Sequence, residues 1–79
     1  MSAVKSIKII TKGNASVSLV NDINKDMIYN HDEYFNKVIV RGKSITVSFR
    51  MMMDEEAANN IAETYQSWYD AECILGGIK

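Results

Sequence analysis

Lys37-Val38-Ile39-Val40-Arg41-Gly42-Lys43-Ser44-Ile45-Thr46-Val47-Ser48-Phe49-Arg50 is the stretch that decides the fold. Two runs rich in β-branched side chains flank a Gly-Lys pair, the pattern of a tight β-hairpin. A two-residue turn with glycine first suits type II′ geometry, whose twist matches that of the strands. Such a turn sets Arg41 opposite Ser44, Val40 opposite Ile45, Val38 opposite Val47 and Asn36 opposite Phe49. Residues directly opposite share a face of the sheet. One face then collects Val38, Val40, Ile45, Val47 and Phe49, and the other Lys37, Ile39, Arg41, Ser44, Thr46, Ser48 and Arg50. The first needs a core; the second is basic and rich in hydroxyls.

Downstream, the pattern changes from period two to a helical one. From about Asp54 to Leu75, Ala57, Ala58, Ile61, Ala62, Tyr65, Trp68, Tyr69, Cys73 and Leu75 project into one arc at roughly 100° per residue, with Glu72 as its one misfit. Asp54 is a natural N-cap, and Glu55 and Glu56 put negative charge where the helix dipole is positive. Gly76-Gly77 then reads as a left-handed C-terminal cap. Upstream, residues 3–11 read as a strand and Lys12-Gly13-Asn14 as a turn. Ser16-Val17-Ser18-Leu19-Val20 alternates like a second strand. Residues 21–36 are the least readable, with a short strand expected at Asp26–Asn30 and a loop at Asn30–Glu33. The expected fold is α+β: an antiparallel sheet of about four strands packed on one long C-terminal α-helix, in two layers.

At 79 residues the chain has room for one small domain, residues 1–79, with a strand-rich basic part (1–53) and an acidic amphipathic helix (54–75). So small a domain buries only about two-thirds of its unfolded surface. That marginal core, together with open sheet edges, points to a homodimer. Cys73 stands alone, so no disulfide forms within the chain, and no apolar run approaches the length of a membrane span. Lys5 interrupts what would be the apolar stretch of a signal peptide. A cytoplasmic protein is expected.

The formal net charge of −1 hides a division along the chain. Residues 1–50 carry +4 and residues 51–79 carry −5, which suggests two surfaces with different partners. Lys37, Arg41, Lys43 and Arg50, set among serine and threonine hydroxyls, make a phosphate-binding surface for RNA or single-stranded nucleic acid, although exposed stacking aromatics are missing from it. Glu55, Glu56, Glu63 and Asp70 make an acidic helix face suited to a basic host protein. Tyr34 and Phe35, aromatic in a polar setting, are candidate anchors for a protein partner. Each of these sets has an ordinary alternative, a solvated face or packing beneath the helix.

Catalytic groupings are scarce. His31-Asp32-Glu33 is the only cluster of metal-ligand types, and neighbours in a loop rarely converge on one ion. Neither a phosphate loop, nor a dinucleotide fingerprint, nor a nucleophile elbow occurs. The expectation is a non-enzymatic chain with no catalytic residues, metal or cofactor.

A short chain rich in Lys, Asn and Ile, without proline, runs from strands into an acidic helix and ends Glu72-Cys73-Ile74-Leu75-Gly76-Gly77-Ile78-Lys79. In this it resembles the small early accessory proteins of T-even-type bacteriophages, a class that includes inhibitors of host defence. The resemblance covers the whole chain and carries over no site residue. It implies a non-catalytic binding module that inhibits a host protein by direct binding in the host cytoplasm. Nucleic-acid binding through the basic sheet face is the alternative.

Overall fold

The computed structural model describes residues 3–13 and 16–78. Its elements run β1 (Ala3–Ile10), α1 (Val17–Asn30), β2 (Phe35–Arg41), β3 (Ser44–Asp54), α2 (Glu55–Tyr69) and β4 (Glu72–Ile78). The strands form one antiparallel sheet in the order β2-β3-β1-β4. Element and strand order are those of the ferredoxin-like arrangement, two interleaved split β-α-β units. The α+β class and the four-stranded antiparallel sheet are as expected; the single long C-terminal helix is not, since two helices cover the sheet.

The hairpin forms with the expected pairs Arg41–Ser44, Val40–Ile45 and Val38–Val47, and Gly42 takes a φ of 59° at the first turn position. That left-handed backbone is open to glycine at little cost. One pair differs. A bulge between Phe35 and Lys37 places Phe35, not Asn36, opposite Phe49. The bulge turns an aromatic ring toward the core where strict alternation would have turned an amide.

Ser16–Val20, expected as a strand, instead opens α1. Ser16 is its N-cap, its hydroxyl accepting from the Leu19 N–H at 3.1 Å. Leu19, Val20, Ile23 and Met27 lie on the core side at helical spacing, while Val17, the residue that made the strand pattern persuasive, stands exposed. The strand expected at Asp26–Asn30 is the last turn of the same helix. Asn14, part of the expected turn, lies outside the described residues.

The helix expected to reach Leu75 stops at Tyr69. Asp54 does cap it, accepting from the Glu56 N–H at 3.2 Å, but Asp70 then adopts a left-handed backbone at φ 49° and the chain turns back as β4. Gly76 and Gly77 are therefore strand residues, not a helix cap. Glu72, the misfit of the helical arc, fits the strand: it pairs with Ile10, and Cys73 and Leu75 pack against the core.

Both helices bury their apolar faces on the same side of the sheet. The core joins Val4, Ile7 and Ile9 of β1 with Ile45, Val47, Phe49 and Met53 of β3, Ile23 and Met27 of α1, and Ala58, Ile61, Ala62 and Tyr65 of α2. A bulge at Lys5 lets Val4 and Ile7 both turn inward. The other side of the sheet is left uncovered by either helix. Among the described residues, no helix is long and apolar enough to cross a membrane.

Candidate functional site

The strand registers lay out the uncovered sheet face in three rows. Across the sheet from β2 to β4, these run Lys37–Ser48–Ser6–Gly76, then Ile39–Thr46–Lys8–Ile74, then Arg41–Ser44–Ile10–Glu72. Lys8, Lys37 and Arg41 are exposed, while Ser6, Ser44, Thr46 and Ser48 between them are half-buried. Lys43 sits at the hairpin tip, tied to the end of β1 because the N–H and the hydroxyl of Thr11 both donate to its carbonyl, at 2.8 and 2.9 Å. Glu72 is the one acid in these rows, at the β4 edge. Lys8 is the residue that sequence reasoning missed. It belongs to this face because β1 is inserted beside β3, a pairing between segments far apart in the chain.

Arg50, grouped with the basic face by alternation, has a different occupation. Its Nε donates to the Glu33 carbonyl at 2.9 Å and a terminal nitrogen to the Asp32 carbonyl at 2.7 Å, while its backbone N–H donates to the Tyr34 carbonyl at 2.8 Å. The guanidinium thus clamps the turn that leads into β2. Tyr34 and Phe35, candidate partner anchors, are half-buried and pack against the core. Glu55, Glu56 and Glu63 are exposed along α2. Asp70 lies beyond the helix end and forms an ion pair with Lys12 across the surface.

The layers therefore differ in charge. The helices hold Asp22, Asp26, Glu55, Glu56 and Glu63 against one base, Lys25, whereas the four strands hold Lys5, Lys8, Lys37, Arg41 and Arg50 against Asp54 and Glu72, both at strand ends. The charge division seen along the chain becomes a division between the two layers of the fold.

A second feature had no sequence signal of its own: a trough between α1 and α2 of about 460 Å³. Ile61, Met53 and Ala57 contribute apolar surface, Asp26 and His31 polar surface, and Trp68 one end. Trp68 was expected in the buried arc of a longer helix, yet it is 58% exposed. A smaller hollow of about 280 Å³ shares Asn30, His31 and Tyr34 with the trough and extends it past Asp32 and Glu33.

One part-buried polar contact ties the helices together across this trough. The fully buried Tyr65 donates its hydroxyl to Asp26 Oδ2 at 2.6 Å, and Asn30 Nδ2 donates to Asp26 Oδ1 at 2.7 Å. Burial pushes the Tyr65 phenol far above its ordinary range, and the bond to Asp26 adds to the shift. Tyr69 is raised for the same first reason, with Asp22 and Asp26 contributing, and burial also raises the Cys73 thiol. A thiol so placed is held as the neutral form, a poor nucleophile. Among the described residues, no group of three or more His, Cys, Asp or Glu side chains is placed to hold a metal ion.

The sequence matches no family model, and neither a curated protein nor a solved structure matches the chain.

Proposed function

We propose that this protein is a non-catalytic binding module whose uncovered sheet face takes the phosphate backbone of single-stranded nucleic acid, RNA in particular. The observation that carries the reading is the position of Lys8 on the inner strand β1, on the same face as Lys37 and Arg41 and in the row between theirs, with the β3 hydroxyls of Ser44, Thr46 and Ser48 between the two strands. With Lys43 at the tip, four cations share one surface with the hydroxyls of Ser6, Thr46 and Ser48, while Ser44 donates its own to the Arg41 carbonyl at 3.1 Å, and phosphate oxygens accept from both kinds of group. Ile10, Ile39 and Ile74 offer apolar contact to sugars and bases but no stacking platform, so affinity without sequence preference is expected.

Four phosphate contacts on a single strand give a log–log salt slope near −2.8, which weakens binding roughly 50-fold between 50 and 200 mM salt. Anisotropy titrations of a labelled oligouridylate test this directly. Lys8→Glu and Arg41→Glu should each flatten the slope and cost most of the affinity while leaving the circular dichroism unchanged. Failure of the wild-type protein to bind at 50 mM salt would remove the reading.

A second reading is favoured by the helical layer. α2 presents Glu55, Glu56 and Glu63 with no base, a surface suited to a basic protein. This is the mode by which an inhibitor of a host protein would act, as the resemblance to phage accessory proteins implies.

A further inference from the structure

We infer that the trough between α1 and α2 receives a basic amphipathic segment of a partner protein, about three helical turns long. The inference rests on the protein-binding reading and gives it a site and a partner chemistry. It is independent of the nucleic-acid reading, because the sheet face lies on the opposite layer.

The length comes from α2. Ala57, Asn60, Ile61, Thr64 and Trp68 all line the trough, and positions 57 to 68 span about 16 Å along a helix axis. Side chains at such a spacing meet an element laid lengthwise, the helix-in-groove mode of recognition. The apolar requirement comes from Met53, Ile61 and Trp68, with the exposed ring of Tyr29 (83%) beside the adjoining hollow.

The sign of the partner comes from the rims. On the α2 side, the helical repeat puts Glu56 and Glu63 within about 60° of Asn60, on the outer edge of the trough. On the α1 side it puts Asp22 next to Asp26, and Asp32 and Glu33 follow at the far end. Lys25, the one base of the helices, projects about 100° away from Asp26, on the outward side of Asp22. An arginine or lysine entering the trough would find the Asp26 carboxylate and the Trp68 indole lining the same cleft, an anion and an aromatic ring of the kind that attracts cations. An acidic or phosphate-bearing ligand would meet carboxylates along both rims, and the Arg50 guanidinium at the far end is engaged by the Asp32 and Glu33 carbonyls.

Trp68 is the only tryptophan in the chain, so its emission reports on this trough alone. The probe is an 18-residue amphipathic peptide of leucine and arginine, without aromatics, titrated in 150 mM salt beside a twin with glutamate in place of arginine. The arginine peptide should shift Trp68 emission to the blue and saturate in the micromolar range, and the twin should not. Glu63→Gln should weaken binding roughly two- to fivefold, as expected for an exposed pair. Ala57→Phe changes no charge at an exposed position but fills the trough, and should weaken binding at least tenfold while leaving oligouridylate binding intact.

Equal binding by the Ala57→Phe variant would show attraction to charge without a groove and overturn the inference. Saturation by benzyltrimethylammonium at concentrations where the peptide does no better would also overturn it, in favour of a small organic cation. Loss of oligouridylate binding with peptide binding retained would count against the sheet-face reading alone.

Discussion

Removing either end of the Tyr65–Asp26 contact should have unequal effects. Tyr65→Phe keeps the buried ring and deletes only the hydroxyl that donates to Asp26 Oδ2 at 2.6 Å. A hydrogen bond to a charged group is worth about 1.5–3 kcal/mol. Asp26, however, is half-exposed and keeps the Asn30 amide at 2.7 Å, so water can replace the phenol. The expected loss is therefore at or just below the low end, about 1–1.5 kcal/mol. Asp26→Ala leaves a phenol hydroxyl on a residue with no exposed surface and no other acceptor in its hydrogen bonding. An unsatisfied buried donor costs about 1–3 kcal/mol, so this change should be the more harmful, at about 2 kcal/mol. In a domain of this size each kcal/mol lowers Tm by about 4–8 °C. Urea titrations followed by circular dichroism give the two losses and that of the double variant. The double variant should lose clearly less than the two single losses combined, because both report on one bond. Additive losses, or a larger loss for Tyr65→Phe than for Asp26→Ala, would refute the account.

Three further outcomes follow from named contacts. Stability should fall on the alkaline side: with the phenols of Tyr65 and Tyr69 and the Cys73 thiol all raised in the folded state, their contribution is complete below the unfolded values, near 8.5 for the thiol and 10 for the phenols, and is lost as pH rises beyond them, so Tyr65→Phe should flatten the loss above pH 10 in melts taken across that range. Gly77→Ala should cost more than Gly76→Ala, about 1–2 kcal/mol against less than about 0.5, since a Cβ at Gly77 meets the Ala3 carbonyl oxygen at 2.8 Å whereas one at Gly76 meets the rotatable Ser6 hydroxyl; equal melting temperatures would contradict this. Arg50→Ala should lower stability by about 1 kcal/mol through loss of the clamp on Asp32 and Glu33, yet change oligouridylate affinity less than twofold, in contrast to Lys8→Glu measured in the same anisotropy assay.

What could be read from the residues alone was local. The hairpin through Gly42 depends on adjacent strands and a two-residue turn, and the start of α2 depends on Asp54 and the two glutamates after it; neither needs a distant partner to be legible. The sorting of charge was equally plain. Two elements were misread where a short window supports two periods. Ser16–Val20 alternates like a strand, and only the stripe running on through Ile23 and Met27 makes it a helix. Cys73 and Leu75 suit a helical arc, but Glu72 violates it, and the turn at Asp70 resolves the conflict by making the segment a strand.

The candidate surfaces needed tertiary structure for a different reason. Lys8 joins Lys37 and Arg41 only because β1 enters the sheet between β3 and β4, and the trough exists only because α1 and α2 settle on the same side of it. Propensity, capping and turn chemistry act over a few residues and are written in neighbouring positions. Strand order and helix placement are decided by which faces can bury each other, and that choice joins side chains tens of residues apart, such as Asp26 and Tyr65, with no local mark of the pairing.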